Sequence, residues 1–169
     1  MGFWDIFNKE ESNNQFESRL HKKIADYLPN TDENEHILIA CISGLMARVA
    51  YVDFHLHENE EAIIADSLKT WTKLTEVEIQ AVKKIAIEEI KELAGLENHK
   101  YCHPLNDILN QDQRFELLEA LFAVAASDGE VESKENEEIR IIAKGLLLEQ
   151  KYFISARATV VEYLKTLKV

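Results

Sequence analysis

The sequence predicts an all-α protein in which about seven amphipathic helices form a single-domain bundle. Apolar residues recur three or four positions apart through most of the 169-residue chain, which is the period of helices packed on a core. No stretch alternates between apolar and polar residues for long enough to form a strand. The 46% hydrophobic and 30% charged residues are typical of a folded globular domain.

Residues 1–15 are predicted to form an aromatic tag followed by a polar linker, and residues 16–169 the helical domain. The tag carries Phe3, Trp4 and Phe7 close together in sequence. Because large apolar side chains are costly to expose to water, we expect the tag to pack on this domain or on a partner protein.

The predicted helices have recognisable start and stop signals. Pro29 ends the first helix, and Thr75 with Glu78 forms a capping box at the start of the fourth. The second helix is apolar almost all the way round, which predicts a central position. The chain from 96 to 110, which contains Pro104, is predicted to be a long connection. The predicted helical ranges are 16–28, 36–52, 58–71, 76–94, 111–127, 133–147 and 150–167.

Six of these helices are predicted to form two three-helix units, about residues 36–95 and 111–167. In each unit an apolar helix ends at an Asp, a short turn with one aliphatic residue follows, and a Glu opens the next helix. An internal duplication of this kind is expected to place its two turns side by side. The corresponding positions are Asp53, Leu56, Glu60 and Ile64 in the first copy and Asp128, Val131, Glu135 and Ile139 in the second.

The two turns are the predicted binding site, with a divalent metal ion as the predicted ligand. If the first turn is extended, Asp53, His55 and His57 point the same way while Phe54 points into the core, and this ligand set suits zinc. The second turn offers carboxylates, which suit calcium or magnesium. In the alternative interpretation, these side chains only cap the turns and the helices that follow. The predicted metal ligands are Asp53, His55, His57, Glu60, Asp128 and Glu135.

Two further patterns are considered as metal sites. His99, Cys102 and His103 are zinc-ligand types within one predicted loop, although such a group also arises by chance. Glu33 and His36 form one Glu-x-x-His motif, whereas a di-iron bundle requires two. The sequence contains no glycine-rich phosphate loop and no nucleophile elbow.

The formal net charge of −12 disfavours nucleic acid and anionic membranes as partners. It fits a site that collects cations, although an excess of Glu on helices usually forms a solvated face. The N-terminus lacks the pattern of a signal peptide, and the longest apolar run, residues 37–47, is too short to cross a bilayer. These features predict a cytoplasmic protein without direct membrane insertion.

Residues 125–135, Ala-Ala-Ser-Asp-Gly-Glu-Val-Glu-Ser-Lys-Glu, resemble the TerB-like family. That family includes the tellurite resistance protein TerB and is similar to the N-terminal region of a membrane-anchored J-domain co-chaperone. The resemblance extends over about residues 36–167. It implies an all-helical bacterial cytosolic protein, a link to tellurite or other chemical stress, no established catalysis, and metal at the acidic turn residues. Phe54 stands where the family pattern has Gly, and His55 and His57 are not part of that pattern.

Three functional hypotheses follow. The first is a non-enzymatic stress-response module that binds a divalent metal between the turns. The second is an adaptor that contacts protein partners, including membrane-associated stress-response components; a homodimer is also left open. The third is a metal-dependent hydrolase, for which His55, His57 and Glu58 would supply a metal-bound water and a general base.

Overall fold

The computed structural model describes the backbone of residues 19–93 and 98–167, and their side chains apart from residues 93, 98–99 and 163–167. All regular structure in these ranges is helical, which confirms the predicted all-α class. The predicted N-terminal tag, residues 1–15, lies outside the described residues. The helices are α1 (Arg19–Tyr27), α2 (Glu33–Ala50), α3 (Glu58–Trp71), α4 (Glu76–Leu93), α5 (Asn98–Ile108), α6 (Gln111–Ala125), α7 (Ser133–Gly145) and α8 (Gln150–Leu167), with a short 3-10 turn at Ala126–Asp128.

Helix α2 is the central element, as its apolar sequence predicts. It packs against α1, α3, α4, α5, α6 and α7, and most of its side chains are buried. At Gly44 the neighbouring helices approach closely, because a Cβ atom there would lie 3.0 Å from Leu20 and 3.1 Å from Tyr101. Asp32 caps the helix by accepting hydrogen bonds from the backbone N–H groups of Asn34 and Glu35.

Helix α1 lies beside α2 and is joined to α4 by charged side chains. Arg19 contacts the buried carboxylate of Glu89 at 3.3 Å, and Lys23 pairs with the same carboxylate. Leu20 and Ile24, each one residue further along α1, are fully buried on the adjacent face of the helix. The described N-terminal helix is therefore held by an apolar stripe and by ion pairs from its surface to the buried carboxylate of Glu89.

The prediction of a connection at residues 96–110 is wrong, because Asn98–Ile108 forms the helix α5. The described residues therefore contain eight α-helices, whereas the sequence predicts seven. Pro104 removes one backbone hydrogen bond, but Tyr101 and Leu105 lie four residues apart and are both buried. Burial of this stripe against α2 and α7 outweighs the cost of the proline.

The predicted duplication stays a prediction, although the two candidate turns fall at corresponding places in the helix order. The first turn joins α2 to α3, and the second joins α6 to α7. Leu56 in the first turn and Val131 in the second are both half-buried and pack against the core. These two aliphatic side chains hold each turn against the helices around it.

Candidate functional site

The first turn departs from the extended conformation considered above. Phe54 has φ of 67°, in the left-handed region, and its side chain is 62% exposed instead of pointing into the core. The ring packs edge-on against Tyr51, with 5.8 Å between the ring centroids. Asp53 stabilises the turn by accepting a hydrogen bond at Oδ1 from the backbone N–H of His55, at 2.8 Å.

The two histidines of the first turn lie at the surface. The side chain of His55 is 77% exposed, and its Nδ1 lies 3.1 Å from the carbonyl oxygen of Asp53. His57 is also exposed and precedes the first residue of α3. The backbone N–H of His57 donates a hydrogen bond of 2.7 Å to Oε2 of Glu60, so Glu60 caps α3.

The second turn repeats these bonds with different residues. Asp128 accepts a hydrogen bond at Oδ1 from the backbone N–H of Glu130, at 3.3 Å. The backbone N–H of Glu132 donates to Oε2 of Glu135 at 2.7 Å, the same length as the corresponding bond in the first turn. Gly129 has φ of 106°, which favours a residue without a Cβ atom. The capping role of both glutamates is therefore observed.

The two turns lie next to each other. Helix α3 packs against α6 and against the 3-10 turn. The side-chain amide of Asn59 donates a hydrogen bond to the carbonyl oxygen of Ser127, at 3.4 Å. We call the four carboxylates brought together here the acidic corner. Its members are Asp53, Glu60, Asp128 and Glu135.

Burial and mutual repulsion disfavour negative charge in the acidic corner. Glu60 is 3% exposed and Glu135 is 6% exposed. Burial is the main cause that raises the pKa of Glu135 to about 7, the hydrogen bond from Glu132 opposes it, and the charges of Glu60 and Asp128 add to it. Burial also raises the pKa of Glu60, with smaller contributions from Asp53 and Asp128. The two turns therefore share one electrostatic environment.

No three of the six predicted metal ligands, all of which the structure describes, place their ligand atoms within 4.8 Å of one another in this conformation. Within the described part of the chain, a different group meets this distance criterion, namely His21, Glu33 and His36. A cation held directly by the acidic corner would therefore require side-chain rotation, which is easiest for the exposed Asp128. Metal binding at the six predicted residues stays a prediction.

No sequence pattern indicates His21 as a ligand. A histidine in a short amphipathic helix has no spacing that relates it to a motif twelve or more residues away. The sequence indicates only Glu33 and His36, as half of a longer motif. The turn between α1 and α2 brings the third residue to them, and this proximity is visible only in three dimensions.

The second candidate cluster is separated by the formation of α5. Cys102 is 1% exposed, whereas His103 is exposed and the side chain of His99 lies outside those described. Burial raises the pKa of the Cys102 thiol to about 12, and the charge of Glu138 adds to this effect. The thiol is therefore protonated at neutral pH, which disfavours metal binding.

The fold and the paired turns define an all-helical module built around an acidic corner. Residues 38–158 match the family model described as tellurite resistance protein TerB, and this match covers more than two thirds of the chain. The chain therefore belongs to the TerB family. No curated protein and no solved structure gives a significant match. Among the described residues, no helix combines the length and apolar character needed to cross a membrane.

Proposed function

We propose that the protein is a non-enzymatic module of a response to tellurite or other chemical stress, and that it takes up a divalent cation at the acidic corner. Membership of the TerB family supports the stress-response role. The observation that supports cation binding is the burial of Glu60 and Glu135 within reach of each other's charge. A cation relieves this repulsion without requiring the carboxylates to be protonated.

The donor atoms of the corner favour a hard cation. Both glutamates and both aspartates offer oxygen, which is the ligand atom of calcium and magnesium. The histidines that would favour zinc are exposed, and His55 is turned toward the backbone of Asp53. We therefore propose calcium or magnesium ahead of zinc at this site.

A charge-neutralising double variant tests the proposal without removing the helix caps. Gln in place of Glu60 and Glu135 keeps an oxygen that accepts the backbone hydrogen bond but removes the negative charge. Glu78→Gln is the matched control, because Glu78 accepts a hydrogen bond from the backbone N–H of Thr75 at the start of α4, outside the corner. Chelator-treated full-length protein is titrated with calcium, magnesium and zinc, by calorimetry and by native mass spectrometry.

The expected result is one calcium or magnesium ion bound by the wild type and by the control, with at least about tenfold weaker binding by the double variant. Absence of binding by the wild type at millimolar calcium and magnesium contradicts the proposal. Equal affinity of the wild type and the double variant for these two ions contradicts it as well.

An adaptor is the second candidate function, and the exposure of Phe54 favours it. A large apolar side chain beside a group of carboxylates fits a partner surface with an apolar pocket and a basic rim. Membrane-associated stress-response proteins are among the proposed partners, and a second copy of the chain is another. In cross-linking from cell extract, a partner that is lost with Phe54→Gly and kept with Ile154→Ser, another exposed apolar position, would support this role. Identical partner sets for both variants would count against it.

The hydrolase hypothesis gains no supporting observation from the described residues. His55 and His57 are exposed at the turn, and the side chain of His55 is 77% exposed. A hydrolytic metal centre instead relies on closely held ligands and a positioned general base.

A further inference from the structure

A second group of metal-ligand side chains lies where the chain turns back from α1 into α2. His21 comes from α1, whereas Glu33 and His36 lie in the first turns of α2. Nε2 of His21 is 3.2 Å from Oε1 of Glu33, and Nδ1 of His36 is 3.8 Å from Oε2 of Glu33. All three ligand atoms lie within 4.8 Å of one another. We propose that His21, Glu33 and His36 form a binding site for a zinc ion.

The tautomer of His36 is fixed in the form that a metal requires. Its Nε2 lies 2.7 Å from the carbonyl oxygen of Leu28 and must donate, because a carbonyl oxygen only accepts hydrogen bonds. In the neutral ring the lone pair is then on Nδ1, which faces Glu33. Nδ1 is buried and has no hydrogen-bond partner, and the His36 side chain is only 7% exposed. A hydrogen bond from the second ring nitrogen to a backbone carbonyl is typical of metal-bound histidines.

The spacing of the three ligands fits a small ion. Bonds of about 2.1 Å to a tetrahedral ion place neighbouring ligands about 3.4 Å apart. The separations are 3.2 Å from His21 to Oε1 of Glu33 and 3.8 Å from His36 to Oε2, so a rotation of the Glu33 side chain brings its carboxylate to an ion between the two rings. Two imidazole nitrogens and one carboxylate favour zinc over calcium or magnesium. The Glu33 side chain is 69% exposed, which leaves room for water as a fourth ligand.

The capping of α2 also favours metal binding. The Asp32 cap fixes the first turn of α2, and with it the positions of Glu33 and His36.

All three proposed ligands precede residue 38, where the match to the TerB family model begins. The site is therefore a feature of the α1–α2 hairpin of this chain and is independent of the acidic corner. Zinc bound here would link α1 to the start of α2 and is expected to stabilise the folded protein.

Zinc titration of the protein with residues 1–169 and without a purification tag tests the site. The variants are His21→Gln and Glu33→Gln, and the second keeps the proposal testable because Glu33 is exposed and contributes little to packing. His103→Gln is the control, because it removes an exposed histidine outside the site, in the cluster that the formation of α5 separates. Zinc stoichiometry is measured by native mass spectrometry and affinity by competition with a chromophoric chelator. Cobalt(II) serves as a visible probe of coordination.

We expect each of the two variants to lose one tightly bound zinc ion relative to the wild type. Affinity at this site should fall at least about 100-fold, since loss of an outer-shell partner alone typically costs about 10- to 100-fold. His103→Gln should bind as the wild type does, and nitrogen NMR should show zinc at Nδ1 of His36 with Nε2 still protonated. Zinc affinity that is unchanged in both variants, no binding by the wild type at micromolar zinc, or coordination through Nε2 would overturn the proposal. None of these results depends on the acidic corner, which Glu60→Gln with Glu135→Gln tests separately.

Discussion

Replacement of Glu135 with Gln is expected to stabilise the metal-free protein at pH 8. Gln retains an oxygen that accepts the hydrogen bond from the backbone N–H of Glu132, so the cap of α7 is preserved. The change removes a negative charge that burial and the neighbouring carboxylates disfavour. A glutamate that caps a helix is thus predicted to destabilise the protein when it is ionised.

The size of the effect follows from the pKa of the carboxyl group. The pKa rises from an ordinary value of 4.5 to about 7 in the folded protein. The folded state then holds its proton more tightly than the unfolded state, so wild-type stability is lost as the pH rises from 4.5 through 7. At about 1.4 kcal/mol for each pH unit, the interval from 4.5 to 7 sets an upper limit of roughly 3.5 kcal/mol. Allowing for the weaker hydrogen bond of a neutral Gln, we expect a gain of about 2 kcal/mol at pH 8.

Chemical and thermal unfolding at pH 5 and pH 8 in the presence of a chelator provide the measurement. A gain of about 2 kcal/mol corresponds to a rise in Tm of about 4–8 °C for a protein of this size. At pH 5 the difference should be small, because Glu135 in the folded wild type is then mostly neutral. Glu78→Gln is the control with the opposite sign, since hydrogen bonds from Thr75 lower the pKa of Glu78 and its charge favours folding. A Glu135→Gln variant that is less stable at pH 8, or equally stabilised at both pH values, would refute the reasoning.

Three further substitutions test individual parts of the structure by chemical denaturation. Phe54→Gly should be more stable than Phe54→Ala by about 1 kcal/mol, because only glycine adopts a φ of 67° without strain. Equal stability of the two variants would argue against the left-handed turn. Gly145→Ala should lower the free energy of unfolding by about 1–3 kcal/mol, because the new methyl group would lie 2.9 Å from Sγ of Cys102. An unchanged denaturation midpoint would contradict the close contact of α5 and α7. Arg48→Ala should lower the free energy of unfolding by about 3–5 kcal/mol, because the buried carboxylate of Glu138 loses its partner at 2.9 Å. The double variant Arg48→Met with Glu138→Met should recover most of that stability, and a double variant no more stable than Arg48→Ala would refute this prediction.

Much of the fold follows from local signals in the sequence. Helix α3 has the predicted bounds Glu58–Trp71, because an acidic first turn and an apolar stripe mark it clearly. Helix α5 was missed because Pro104 is a strong local signal against a helix, whereas the burial of Tyr101 and Leu105 depends on distant helices. Tertiary packing decides the conformation where a local signal and long-range burial disagree.

The candidate sites were harder to predict than the helices. The sequence correctly indicated Glu60 and Glu135 as capping residues, since a Glu three residues after the cap position is a local pattern. It did not indicate the exposure of Phe54, because a left-handed aromatic residue is unusual and depends on the geometry of the turn. The group that includes His21 depends on the angle between two helices, which no local pattern specifies.

Carbon-13 NMR titration of the side-chain carboxyl groups tests the central claim most directly, because it reports the charge state of each glutamate in the acidic corner. In metal-free wild-type protein, Glu135 should titrate near pH 7. Its pKa should fall toward the ordinary range with Glu60→Gln, and again when a divalent cation is added to the wild type. An ordinary glutamate pKa for Glu135 that responds to neither change would contradict the existence of a shared, cation-binding corner.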